Sequence, residues 1–285
     1  MQENLVFPPL KPEHTGLLGP ATIVVELDQE IKNIFVEDLL AQLHAGIESW
    51  CLDTDITKEV LAPFVKDTEN KLFKSLAPFN IRTSFRASTF DTDPEELEAR
   101  ASLALALVEE KVIERELWLG EFSSSNEVKN TWAANPYLLD DDVEVIAGTY
   151  SPNAGMAVLE GAYADRSHGI LPTLYSPRSA ASRMNLRGKL DDNEAYRTKI
   201  GTRVIPGSGF KAEAGQSGIT LSDHQVPVVI SGPAVVLLGP PVVTPDEAYQ
   251  AINRGKNDII YFAERQAVAL ALGGAKFTTV IDVAQ

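Results

Sequence analysis

The stretch from Asp93 to Leu119 constrains this chain more than any other. Asp93 offers an N-cap carboxylate, Pro94 suits the first helical position, Glu96 completes a capping box, and Gly120 supplies the stop. The spacing predicts one helix of about 27 residues, a rod about 40 Å long at 1.5 Å per residue. Because it is about twice the usual helix length, it should organise the whole fold. Its first and last turns are charged, but Ala101-Ser-Leu-Ala-Leu-Ala-Leu-Val108 carries no charge on any face. Such a segment is covered on more than one side, by its own core or by another subunit.

Before the helix, residues 1–21 hold Pro8, Pro9, Pro12 and Pro20 with Gly16 and Gly19, which reads as an extended arm with no core of its own. Thr22 to Leu27 reads as a strand. Ile31, Phe35, Leu39, Leu43 and Ile47 recur every fourth residue and predict a helix over 30–49. From Pro78 to Ala87, Phe79, Ile81, Thr83 and Phe85 alternate with Asn80, Arg82, Ser84 and Arg86, as a strand requires. After Gly120 the pattern is mixed. A helix is expected over 153–165 with Met156, Leu159 and Tyr163 on one side, then a strand over 170–175 and a helix over 178–186. Gly201 to Gly209 reads as a strand running into a turn, and Val226 to Leu238 as a broken apolar strand pair. Thr244-Pro-Asp-Glu247 opens a second helix that Gly255 would close. Asn257 to Gln285 reads as an apolar strand entering the Glu264-Arg265 pair, an Ala/Val/Leu run, and a terminal strand. Adjacent strand residues face opposite ways, so Glu264 and Arg265 are expected to bond different partners, within the subunit or across a subunit boundary.

Composition excludes several functions. The net charge is −15, from 25 basic and 40 acidic residues. That surface repels phosphates, which argues against a nucleic-acid-binding module and for contacts with DNA that are sparse and non-specific. No apolar run approaches the roughly 20 residues that span a bilayer, so no membrane partner is expected. Met1-Gln-Glu-Asn lacks a basic n-region, so no secretory signal is expected. Cys51, the single cysteine, rules out an intrachain disulfide.

A catalytic constellation is also missing from the sequence. His14, His44, His168 and His224 form no zinc-ligand spacing. Gly207-Ser208-Gly209 and Gly215-Gln-Ser217-Gly218 fall short of the G-x-S-x-G elbow and read as turns in which glycine supplies positive φ. Neither a dinucleotide fingerprint nor a phosphate-binding loop is present. Asp140-Asp141-Asp142 reads as a solvated loop in preference to a metal site. Asp191-Asp192 and Glu26/Asp28 are the pairs expected by chance among 40 acids. No catalytic, cofactor or metal residue is assigned, and no cofactor is expected.

The order of these pieces resembles the major capsid protein of tailed bacteriophages of the Hong Kong ninety-seven type. The resemblance rests on the closing "E-R-x-A-x-A" strand at Glu264. It rests also on Ala157-Val-Leu-Glu-Gly-Ala-Tyr-Ala-Asp165, on Gly169-Ile-Leu-Pro-Thr-Leu-Tyr-Ser-Pro-Arg178, on Gly201 to Gly209, and on Val229-Ile-Ser-Gly-Pro-Ala-Val-Val-Leu-Leu-Gly239, which are similar to axial domains of actinobacteriophage capsids. It implies an α+β fold divided into an N-terminal arm (1–27), a helix and extended-loop region (28–78), a peripheral domain with a spine helix (79–120), an axial domain (121–256) and return strands of the peripheral domain (257–285). It implies hexamers and pentamers tiling an icosahedral shell around double-stranded DNA, assembled in the host cytoplasm. A separate scaffolding protein, a portal and a decoration protein would be the partners. Lys58, Lys66, Lys71 and Lys74 lie where the extended loop falls and are read as surface lysines, not as crosslinking groups. Two alternatives stand beside this reading: an encapsulin-like bacterial compartment, and an acidic hydrolase with an unrecognised site.

Overall fold

The computed structural model describes residues 16–31, 34–37, 73–76, 78–88, 94–122, 135, 137–166, 171–188, 195–245, 252–253, 258–272 and 275–284. The predicted helix is there as α1 (Pro94–Leu119). Leu97, Ala101, Leu105, Ile113 and Leu117 lie on its buried side, spaced by fours. Four residues exceed one helical turn, so this ridge winds around the rod and meets different neighbours at its two ends. Near its start the ridge packs on β4 (Phe79–Ser88), through Phe79 and Ile81, and on β13 (Asp258–Ala271), through Tyr261 and the small Ala263, Ala267 and Ala269. The alternation read over 78–87 is that of β4, with Phe79 and Ile81 buried and Arg82, Ser84 and Arg86 exposed.

At 14 residues, β13 is the longest strand described, and it is the hub of a six-stranded sheet. On one side it pairs antiparallel with β4, from Asp258↔Ser88 to Ala267↔Phe79. On the other it pairs in succession with β12 (Ile252–Asn253), β11 (Val242–Thr244) and β10 (Ala234–Leu238). The strand β1 (Ile23–Glu26) adds to β10 in parallel and forms one edge.

The second six-stranded sheet runs β5 (Glu144–Tyr150), β14 (Phe277–Asp282), β9 (Gln225–Ser231), β6 (Thr173–Pro177), β8 (Arg203–Gly207), β7 (Tyr196–Arg197). One face of it lies under α2 (Pro152–Arg166), where Met156, Leu159 and Tyr163 meet Val226, Val228, Phe277 and Ile281. The opposite face presents Tyr175, Ile205 and Val229 to Phe210 and the end of α1. Alternation at Leu174 and Tyr175 puts neighbouring residues in the two different cores. A separate antiparallel pair joins β2 (Ile34–Glu37) to β3 (Phe73–Leu76).

Several expectations are corrected. Residues 34–37 are strand, not helix, because Ile34-Phe35-Val36 is strand-prone and β3 supplies the ladder; the remainder of the helix expected over 30–49 lies outside the described residues. The apolar strands β9 and β10 do not pair with each other: the chain changes sheets at Gly232-Pro233. The closing strands β13 and β14 likewise enter different sheets, and β10 to β12 share the sheet of β13. The strand expected at 170–175 is β6, shifted to Thr173–Pro177, and the helix expected over 178–186 shrinks to α3 (Arg178–Ala181). The helix expected to run from Thr244 to Gly255 is excluded at its end, where Ile252–Asn253 pairs with β13.

Candidate functional site: a buried carboxylate row on the long helix

The C-terminal half of α1 carries Glu109, Glu110, Glu114 and Glu116, and all four are buried. Glu109 occupies a position of the apolar ridge, between Leu105 and Ile113 in the four-residue spacing. Arg265 of β13 meets it there, with Nη1 3.1 Å from Oε1. The same guanidinium donates to Gly239 O at 2.6 Å and to Glu26 of β1 at 3.1 Å, so one cation ties helix, sheet centre and sheet edge together. Glu264 faces the other way, with Arg82 of β4 at 3.9 Å and both side chains exposed. The two members of the pair thus bond different partners, both within the subunit.

Glu110 and Glu114 hold the segment before β1. Glu110 Oε1 accepts the Gly16 and Leu18 N–H groups at 2.8 and 3.1 Å, and Glu114 Oε1 accepts the Leu17 N–H at 3.1 Å. Gly16 is required by space, since a Cβ there would overlap Glu114 Oε1. Leu17 and Ala21 are buried in the main core. The arm expected over 1–21 with no core of its own is therefore corrected from Gly16 onward: this part is anchored by both hydrogen bonds and apolar burial.

Glu114 reaches the second sheet as well. Its Oε2 accepts the Gly209 N–H at 2.6 Å and the Ser208 hydroxyl at 3.2 Å. Burial pushes the Glu114 carboxyl up to about 7; the Gly209 N–H opposes this, the neighbouring Glu110 adds to it, and Leu17 and Ser208 oppose it. Beside it Trp118 stacks on Phe210 with centroids 4.8 Å apart and donates its indole N–H to Lys211 O at 3.0 Å. Phe210 meets Tyr175 edge-on at 6.2 Å, and the Tyr175 hydroxyl donates to Gly232 O at 2.7 Å. Glu116 accepts the Phe122 N–H at 2.6 Å, and the orphan carbonyls of Leu117 and Trp118 accept the N–H groups of Leu138 and Leu139. The row joins parts; it does not present a reacting atom to solvent.

Ser208, read as part of a turn, donates to Glu114, and Ser217 donates to Ala214 O. Gly215 and Gly218 supply positive φ as expected. Gly207 and Gly209 are needed for a different reason, close approach: a Cβ would strike the Phe210 ring at the first and the Lys111 carbonyl at the second. Asp140, Asp141 and Asp142 bring carboxylates together, yet Asp142 pairs with Lys276 and Asp140 accepts the Asp141 N–H, as a loop would. Glu26 pairs with Arg265 and not with Asp28. His224 takes φ 64 in an exposed turn. His14, His44, His168, Asp191, Asp192, Cys51, Lys58, Lys66 and Lys71 lie outside the described residues, and Lys74 lies in β3. A cavity of about 410 Å³ beside α3 is lined by Arg178, Ser182, Met184, Leu186, Tyr196 and Pro206 among others, with no carboxylate or histidine among its described lining residues. No helix among the described residues is long and apolar enough to cross a membrane.

Neither a family model nor a curated protein sequence matches the chain. Solved structures do. A chain of the head structure of Helicobacter pylori bacteriophage KHP40 superposes with a TM-score of 0.53 at 10% identity, over 99% of this chain and 94% of that one. The holo-SrpI encapsulin complex of Synechococcus elongatus PCC 7942 gives 0.52 at 10% identity, over 93% and 86%. The capsid of an empty GTA particle gives 0.50 at 11% identity, over 99% and 94%. The chain therefore has the mixed helix-and-sheet fold of phage-capsid subunits, the Hong Kong ninety-seven-like fold.

Proposed function

We propose that the chain is a major capsid subunit that forms hexamers and pentamers and tiles them into an icosahedral shell around double-stranded DNA. The observation that carries this reading is the match to a phage head structure over 99% of the chain. The β13 sheet with α1 would be the peripheral domain, the β14 sheet with α2 the axial domain, and the extended loop would fall within 28–78. Ile23, Val24 and Val25 on β1 and Leu107 and Val108 on α1 are exposed apolar groups that a closed lattice would cover. Many modest contacts add up under closed symmetry, so the work of such a protein is mechanical and no catalytic role is assigned. A separate scaffolding protein, a portal and a decoration protein would be its partners in the host cytoplasm and the virion. A charge of −15 supports sparse, sequence-independent contact with packaged DNA. The likeness to an encapsulin complex supports a second reading, a bacterial compartment with protein cargo.

The test is to express the full chain, alone and with its candidate scaffold, and examine it by light scattering and electron microscopy. Closed shells or capsomer-sized oligomers are expected. A strictly monomeric species across protein concentration and salt overturns both readings. The contents of native particles separate them, DNA for a capsid and folded enzyme for a compartment.

A further inference from the structure

We propose that Glu114 is a proton-operated latch: with its carboxyl protonated, Gly16–Ala21 and the Ser208–Phe210 loop are both held on α1, and with it ionised both are loosened together. Three elements distant in sequence meet on this one side chain. Among the described residues, every donor it receives is neutral: the Leu17 N–H, the Gly209 N–H and the Ser208 hydroxyl. A fully buried carboxylate answered only by neutral donors is costly when charged, and Glu110 one turn earlier adds like charge. Protonated, the acid keeps its acceptor oxygens and gains an O–H that Ser208 can accept.

The other charged groups packed around it are already committed or exposed. On α1, Arg115 pairs with Glu121 and Glu213, Glu109 with Arg265, and Lys111 is exposed. On the loop, Lys211 pairs with Glu213. Residues 16–22 contribute no ionisable side chain, while Glu13 and His14 lie outside the described residues. Tyr175 stays neutral, its hydroxyl pushed well up by burial. The Glu114 carboxyl, raised from 4.5 to about 7, gives the sign: the stability it lends is full below about 4.5 and is lost as pH rises through about 7. The latch therefore holds in mild acid and has slackened once the pH passes about neutral. This inference does not depend on shell formation.

The experiment is hydrogen exchange on the full chain from pH 5.5 to 8.5, corrected for intrinsic exchange. Peptides containing Leu17 and Gly209 should lose protection together between pH 5.5 and about 7.5, on the order of tenfold, and level off above that, while β13 keeps its own. Glu114→Gln, neutral throughout, should remove that pH dependence. Protection that is flat with pH, that changes at one segment without the other, or that keeps the same slope in the glutamine variant overturns the proposal. If that variant does not fold, the wild-type profile alone decides.

Discussion

The uncharged middle of α1 and the charged stretch after it reverse the usual relation between polarity and burial. In the uncharged stretch 101–108, Leu107 is 46% exposed and Val108 37%. In the charged stretch, Glu114 is 0% exposed and Glu116 1%. What separates them is the supply of partners. Around the charged stretch stand Arg265 and the N–H groups of Gly16, Leu17, Leu18, Gly209 and Phe122, enough donors to take four carboxylates out of water. The uncharged stretch has one sheet beneath it, so its remaining faces stay open until something else covers them. Burial on this helix follows the availability of donors more than hydropathy.

Leu105→Pro would break the contrast at its root, since both stretches depend on one continuous rod. It removes a helical hydrogen bond and a buried leucine, together about 5 kcal/mol, against a total of roughly 5–15. Little soluble protein and reduced helical circular dichroism are expected; normal yield would mean the rod is not the organiser. Next comes Arg265→Ala, which takes the guanidinium away from buried Glu109, Gly239 and Glu26 at a cost of about 3–4 kcal/mol in urea denaturation. Exchanging both partners, with Arg265→Met and Glu109→Leu, should recover most of that loss, and failure to recover would show that the ion pair itself is needed. Leu17→Ala should cost about 2–3 kcal/mol in thermal unfolding, because the segment it anchors belongs to the core. An unchanged midpoint would restore the view of this segment as a free arm. Smallest is Leu107→Ser, within about 0.5 kcal/mol for the isolated subunit. Particle yield should nevertheless fall if this face is a lattice contact, which light scattering would register.

Local chemistry made part of this legible. The caps at Asp93 and Gly120 and the lack of any interior breaker announced α1, and strict alternation announced β4. The opposite orientation of Glu264 and Arg265 followed from strand geometry alone. Partners distant in sequence were not legible. Nothing in residues 225–238 says that β9 and β10 join different sheets, because both are apolar on either side of Gly232-Pro233. The carboxylate row was missed for the same reason, although it left a signal: the spacing of Leu97, Ala101 and Leu105 continues through Glu109 to Ile113. A glutamate inside an apolar ridge asks for a buried cation. Gly16 read as flexibility, while its role, fitting under a carboxylate, needed Glu114 in view.

The place of β13 in the first sheet sets a timetable for synthesis. Thr83 on β4 donates to Ala263, 180 residues later, and Ile23 has its ladder partner only when Val235 is made. At ribosomal rates of about 5–20 residues per second, β4 and the underside of α1 wait on the order of 10–40 s for the strand that covers them. Closing so long a loop is also slow once the strand has emerged. During that interval the nascent chain displays Phe79, Ile81, Leu97 and Leu105 uncovered, as a client for chaperones and a risk for neighbours on the same polysome. Wherever such a chain is made in many copies at once, the capacity to shield half-finished chains would limit the yield before the stability of the finished fold does.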